Sequence, residues 1–111
     1  MKAAIIQFNP KTADIAENAD RITTYITNEK EADVIIFPAL SVTGINCRDY
    51  FLNADFIERQ NAVLEEIKEL SVNSRDIIIG FAEKTKDGLY SSVALYSNGE
   101  EKILCRKKNL L

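Results

Sequence analysis

The chain opens on Lys2–Phe8, KAAIIQF, apolar at successive positions apart from Gln7. That pattern predicts a strand in a sheet covered on both sides. Asn9-Pro10-Lys11-Thr12 then reads as a turn. Asp14 followed by Glu17 suits a helix start of the capping-box kind, and Ile15, Ala19, Ile22 and Ile26 recur at helical spacing as far as about Asn28. Glu17, Asn18, Asp20, Arg21 and Thr24 form the opposite, water-facing side. Asp33–Phe37 is the next strand, so β-helix-β spacing predicts a parallel pair with a right-handed crossover. Asp55 with Glu58 repeats the helix-start signal, and Phe56, Val63, Ile67 and Leu70 form the expected buried stripe. Asp76–Ala82 is a third doubly apolar strand. Tyr90–Tyr96 and Lys102–Arg106 are two more, joined through Asn98-Gly99, the dipeptide most typical of a tight hairpin; Asp87-Gly88 marks another turn.

These elements predict an α/β fold with one mixed sheet of about five strands and two helices. Two right-handed crossovers between neighbouring strands put both helices on the same face. The doubly apolar strands demand cover on the other face as well. The expectation is that the remainder of a larger domain or a second copy supplies it, and that the polypeptide alone forms a homo-oligomer.

Composition narrows the function classes. At 111 residues, 46% hydrophobic and 28% charged, the chain reads as one ordinary globular unit. A net charge of −3 argues against nucleic acid, and Arg106-Lys107-Lys108 is too small a basic cluster to reverse that. No run reaches membrane-spanning length and nothing resembles a signal peptide, so a cytoplasmic setting without a membrane partner is expected. Cys47 and Cys105 lie far apart without metal-type spacing, so neither metal nor cofactor is expected. The absence of histidine excludes Ser-His and Cys-His nucleophile pairs within these residues.

Candidate chemistry concentrates at Val34–Gly44, VIIFPALSVTG. Pro38 cannot donate to a ladder, so the strand stops near Phe37 and the chain turns at the carboxyl end of a parallel sheet, where ligands bind in open α/β folds. Neither Gly44 nor Gly80 belongs to a phosphate-binding glycine pattern.

AAIIQFNP, the helix start DIAEN, FPALSVTG, IIIGFAE, LYSSVALYSNGE and CRKKNLL together resemble the opening part of the carbon–nitrogen hydrolase (nitrilase) superfamily. Within it, TGINCRDYF is most similar to the glutaminase domain of glutamine-dependent NAD synthetases. The resemblance implies that residues 1–111 are the N-terminal part of an αββα sandwich domain acting on a small amide through a Glu-Lys-Cys triad. Its glutamate position falls on Ala39, and its lysine on Lys107, with Leu111 where a proline is usual. Its cysteine lies beyond these residues. A thiolate attacks the carboxamide carbon, the carboxylate relays the proton and the ammonium stabilises the oxyanion. Methyl at position 39 moves no proton, so the resemblance implies an inactive chain. A non-catalytic binding or regulatory subunit is the alternative.

The bland readings are equally concrete. Lys107 can be a solvated strand-end lysine, Ala39 an ordinary loop residue, Cys47 a packing cysteine, Cys105 a core residue by its alternation with Ile103, and Arg48 with Asp49 a surface pair. The tyrosines at the ends of Tyr90–Tyr96 read as packing groups.

Overall fold

The structure, a computed structural model, describes residues 1–108. The observed order is β1 (Ala3–Ile5), α1 (Ile15–Asn28), β2 (Val34–Ile36), a 3-10 turn (Arg48–Leu52), α2 (Ala54–Glu69), β3 (Asp76–Thr85), β4 (Gly88–Ser97) and β5 (Glu100–Lys108). They build one sheet in sequence order, parallel across β1, β2 and β3 and antiparallel across β3, β4 and β5. The α/β class, the mixed five-stranded sheet and the two helices are as the pattern predicts.

Asp14 caps α1 by accepting from the Glu17 N–H at 3.1 Å. The return half of the capping box is not made, because the Asp14 N–H donates to the Lys11 carbonyl while Glu17 faces the Lys11 ammonium at 3.7 Å. The start of α2 differs from expectation. Asn53, not Asp55, is its cap, accepting from the amides of Asp55 and Phe56. An asparagine whose backbone is extended presents its side chain to those amides, whereas Asp55 is already inside the first turn. The buried stripe of α2 is therefore Phe56, Ile57, Gln60, Leu64 and Ile67; Val63 is half-buried, and Leu70 lies past the helix and is exposed.

β1 and β2 are three residues each, shorter than their apolar runs. Ile6 still donates to Ile36 and Phe37 to Ile78, but Pro38 ends the ladder and the chain leaves the sheet. The two hairpins carry β3, β4 and β5 further than the sequence suggests. Asn98 and Gly99 both adopt positive φ, the backbone that a two-residue turn of matching twist requires.

The helices cover one sheet face, where Ile35, Ile77 and Ile79 are fully buried against a core including Ile22, Ile26 and Ile67. On the opposite face the register aligns Ile5, Ile36, Ile78 and Leu95 in one row. Ile5 is 71% exposed and the rest of the row is only half-buried. This bare apolar face is the one the residue pattern requires to be covered.

β5 contains the decisive irregularity. Val93 pairs with Cys105 while Ala94 pairs with Ile103, so Leu104 is an extra residue opposite no partner. A bulge of one residue exchanges the two faces for everything beyond it. Ile103 points to the helices, and Cys105 is turned to the bare face and exposed. The expectation that Cys105 shares the core with Ile103 fails for that reason.

Candidate active site

The backbone at Pro38–Ser41 is fastened to β3. The Ser41 N–H donates to the Gly80 carbonyl at 3.0 Å, and the Ser41 hydroxyl donates to the Pro38 carbonyl. Leu40 has φ +50, a left-handed conformation that a leucine holds only when its surroundings enforce it. Gly80 is what admits this segment: a Cβ there would lie 2.5 Å from Ala39 Cα and 2.9 Å from the Pro38 carbonyl oxygen. Ala39 thus crosses the bare face directly over Gly80, and it is exposed.

The rest of the loop is pinned to the turn before α1. Ala13 donates to Thr43 at 2.8 Å, and Thr12 Oγ1 donates to Ile45 at 3.0 Å. Gly44, φ +82, leaves no room for a side chain, since a Cβ would meet Thr12 Cα at 2.8 Å. Asn18 completes the join. Its amide donates to the carbonyls of Lys11 and Val42, and its oxygen accepts from the Lys11 N–H, all within 2.8 Å. Asn18 is fully buried, which corrects its placement on the water-facing side of α1. The helical spacing is right, but the loop folds back over this side and asparagine matches its backbone groups.

Beyond the point where β2 ends, the edge of β3 needs other partners. Gln60 supplies them, donating to the Ala82 carbonyl at 2.7 Å and accepting from the Ala82 N–H at 2.8 Å. Sequence reasoning missed Gln60, whose only signal is a helical offset of four from Phe56 and Leu64. It also missed Gly80, although a glycine inside an apolar strand is a sign of close backbone approach.

Lys107 lies opposite Ser91, which lies opposite Ala82. Ala82 and Gly80 share the bare face, so the register puts Lys107 on the same side of the sheet as Ala39. Sheet spacing sets the Cα atoms of Lys107 and Gly80 roughly 12 Å apart. Lys107 is exposed, as its bland reading also requires. Asn109, Leu110 and Leu111, including the position where a proline is usual, lie outside the described residues.

Beside Lys107, on the helix face, Glu83 accepts from Arg106 Nε at 2.6 Å and Nη2 at 2.9 Å, and from the Ser92 hydroxyl at 2.8 Å. The Arg106 hydrogen bonds, foremost, hold the Glu83 carboxyl below its ordinary range. A carboxylate with a depressed folded-state pKa stabilises above its unfolded value and loses that contribution as pH falls through the folded value. Glu83→Gln is therefore expected to be less stable than the parent near neutrality, with the difference closing on acidification. Chemical denaturation at several pH values checks it, and a pH-independent gap contradicts the assignment.

Cys47 is no nucleophile. It is buried, its thiol donates to the carbonyls of Thr43 and Gly44, and burial pushes its pKa up. Arg48 and Asp49 are exposed, and no ion pair joins them among the described residues. Tyr96 is buried in the core and Tyr90 half-buried. A hollow of about 600 Å³ opens at the carboxyl ends of β1 and β2, between residues 5–9 and 36–38. It adjoins the loop through Pro38 but includes neither Ala39 nor Lys107.

Comparison with known proteins agrees with this frame. The carbon-nitrogen hydrolase family model matches residues 2–111. The glutamine-dependent NAD(+) synthetase of Acinetobacter baylyi is 33% identical over 98% of this chain and 20% of its own length. The structure of the glutamine-dependent NAD+ synthetase from Acinetobacter baumannii superposes with a TM-score of 0.81 at 30% identity, over 99% of this chain and 21% of that one. An amidase from Nesterenkonia sp. shares the fold alone, with a TM-score of 0.77 at 16% identity over 100% of this chain and 43% of its own. The chain thus spans about a fifth of the synthetases' length. With nearly every residue inside the family match, this chain belongs to the carbon-nitrogen hydrolase family.

Proposed function

We propose that this chain forms the N-terminal part of a glutamine-hydrolysing domain that supplies ammonia for NAD synthesis, and that it is catalytically inactive by itself. The single observation supporting this most is the 33% identity to a glutamine-dependent NAD(+) synthetase along 98% of the chain. In this reading the Lys107 ammonium stabilises the oxyanion formed from the carboxamide, and position 39 is where a carboxylate would relay the proton. Ala39 offers a methyl group there, and in this reading neither cysteine is the nucleophile: Cys47 is buried, and Cys105 is an exposed residue of β5. The domain operates in the cytoplasm as part of a larger assembly.

Glutaminase assay of the chain tests the reading. Ammonia release is expected to stay at background for the chain and for its Ala39→Glu variant, because a restored base without a nucleophile cannot form an acyl-enzyme. Turnover by either would overturn it. In a polypeptide carrying the whole domain, Ala39→Glu is expected to raise the rate by about a hundredfold or more, the usual worth of a general base. An unchanged rate removes position 39 from the mechanism.

The methyl at Ala39 also favours a second reading, a non-catalytic binding or regulatory subunit that keeps the family's assembly surface. Both readings need the row Ile5, Ile36, Ile78 and Leu95 covered, by the remainder of a domain or by a second copy. Light scattering at micromolar concentration is expected to show the 111-residue chain self-associated. A stable species at monomer mass would contradict that.

A further inference from the structure

β5 is an outer strand of the sheet, and no strand pairs with its far side among the described residues. All of its residues are exposed except Ile103, which is half-buried. Such an edge offers unpaired N–H and C=O groups to another chain, and an edge guarded by lysines repels a copy of itself. Here the charges are sorted instead. Glu100 and Glu101 stand at the start, Arg106, Lys107 and Lys108 at the end, and Ile103, Leu104 and Cys105 between them. Glu100, Glu101 and Lys107 have no ion-pair partner among the described residues.

Two identical strands paired antiparallel about a two-fold axis normal to the sheet keep each side chain on the face it already occupies. The bulge at Leu104 restricts how they can meet. Before it, Glu100 and Lys102 belong to the bare face and Glu101 and Ile103 to the helix face; beyond it, Cys105 and Lys107 belong to the bare face and Arg106 and Lys108 to the helix face. Matching faces therefore requires an even-numbered residue to oppose an odd-numbered one. One such register sets Glu100 opposite Lys107 and Glu101 opposite Arg106 of the second copy, with Lys102 opposite Cys105 and Ile103 opposite Leu104. It makes both charge pairs twice, brings apolar residues to the centre and opposes no like charges. In the next register forward Lys102 meets Lys107, and in the next one back no opposite charges meet. Glu83 accepts from Arg106 Nε and Nη2, which leaves Nη1 for Glu101 of the second copy.

We propose that β5 is an interface between two copies of this chain, paired antiparallel in this register so that the five-stranded sheet continues from one copy into the other. This surface is distinct from the bare apolar face, which such a pairing leaves uncovered in both copies. The proposal does not rest on the glutaminase reading.

Oxidative cross-linking of the 111-residue chain tests it. Lys102→Cys sets a thiol opposite the exposed Cys105 of the second copy, at the roughly 4.5–5.5 Å Cα spacing of opposed residues, which a disulfide can span. A covalent dimer is expected on non-reducing electrophoresis, and its loss in Lys102→Cys/Cys105→Ser. The parent is expected to stay uncrosslinked, because its two Cys105 residues are offset along the strands by about 10 Å. Sedimentation reads the charge pairs. Glu100→Lys and Lys107→Glu are each expected to weaken association by about tenfold, and an equimolar mixture of the two to restore it, since the mixed dimer opposes unlike charges throughout. Raising salt from about 0.05 to about 0.5 M is expected to weaken the parent's association several-fold, whereas burial of the bare apolar face is not screened. No cross-link from Lys102→Cys, or no gain in the mixture, would overturn the proposal. Association that survives high salt and both charge variants would then belong to the bare face, leaving the self-association expected above intact.

Discussion

Gly80→Ala is expected to lower stability by about 3 kcal/mol or more, at or beyond the upper end of ordinary overpacking penalties. The added methyl would have to occupy space 2.5 Å from Ala39 Cα, and its other near neighbours, the Pro38 carbonyl oxygen and Leu40 nitrogen, are also backbone. No flexible side chain end is available to move aside. Relief would require lifting Pro38–Ser41 off β3, breaking the Ser41 N–H bond to Gly80 and releasing a Leu40 that is already strained. For a chain of this size the whole stability is about 5–15 kcal/mol, so the loss is a large share of it. Urea unfolding measures it. A loss below about 1 kcal/mol would mean that the segment carrying Ala39 is not seated on Gly80 as described.

Gln60→Leu is expected to cost about 3 kcal/mol, through a different mechanism. The leucine fills the volume, but the Ala82 N–H and carbonyl lose their partners at a site where both residues are fully buried. Each stranded group costs roughly 1–3 kcal/mol, far more than the net worth of an exposed hydrogen bond. Gln60→Glu separates the two halves. Near neutral pH it keeps an acceptor for the Ala82 N–H but sets a charge against the Ala82 carbonyl. On acidification the protonated carboxyl donates again, so part of the stability returns as pH falls. Equal stability of Gln60→Leu and the parent in urea titration would show that water or another group satisfies this edge.

Both residues belong to the machinery that positions the candidate site, and neither stands out by residue chemistry. Lys107 and Ala39 emerge from resemblance to a family motif, whereas Gly80, Gln60 and Asn18 emerge only from contacts. Asn18 shows why. Its place among Glu17, Asp20 and Arg21 on the helix wheel reads as solvent-facing, and only the return of Val42 over α1 makes it a buried clamp. Cys105 shows the complementary failure. Alternation along KILCR places it with Ile103, and alternation holds only while no residue is inserted into the ladder.

Periodicity and turn chemistry alone determined the α/β class, the parallel order of the first three strands, the Asn98-Gly99 hairpin and the bare apolar face. These follow from local backbone preference and from the need to bury apolar side chains, both written residue by residue. Only the tertiary structure decided that Lys107 shares a sheet face with Ala39. That outcome depends on one unpaired residue, Leu104, and on a loop seated over a glycine two strands away. A one-residue change of register inverts every side chain beyond it, and its cause is the fit of β5 against β4 across the sheet, which no local pattern encodes.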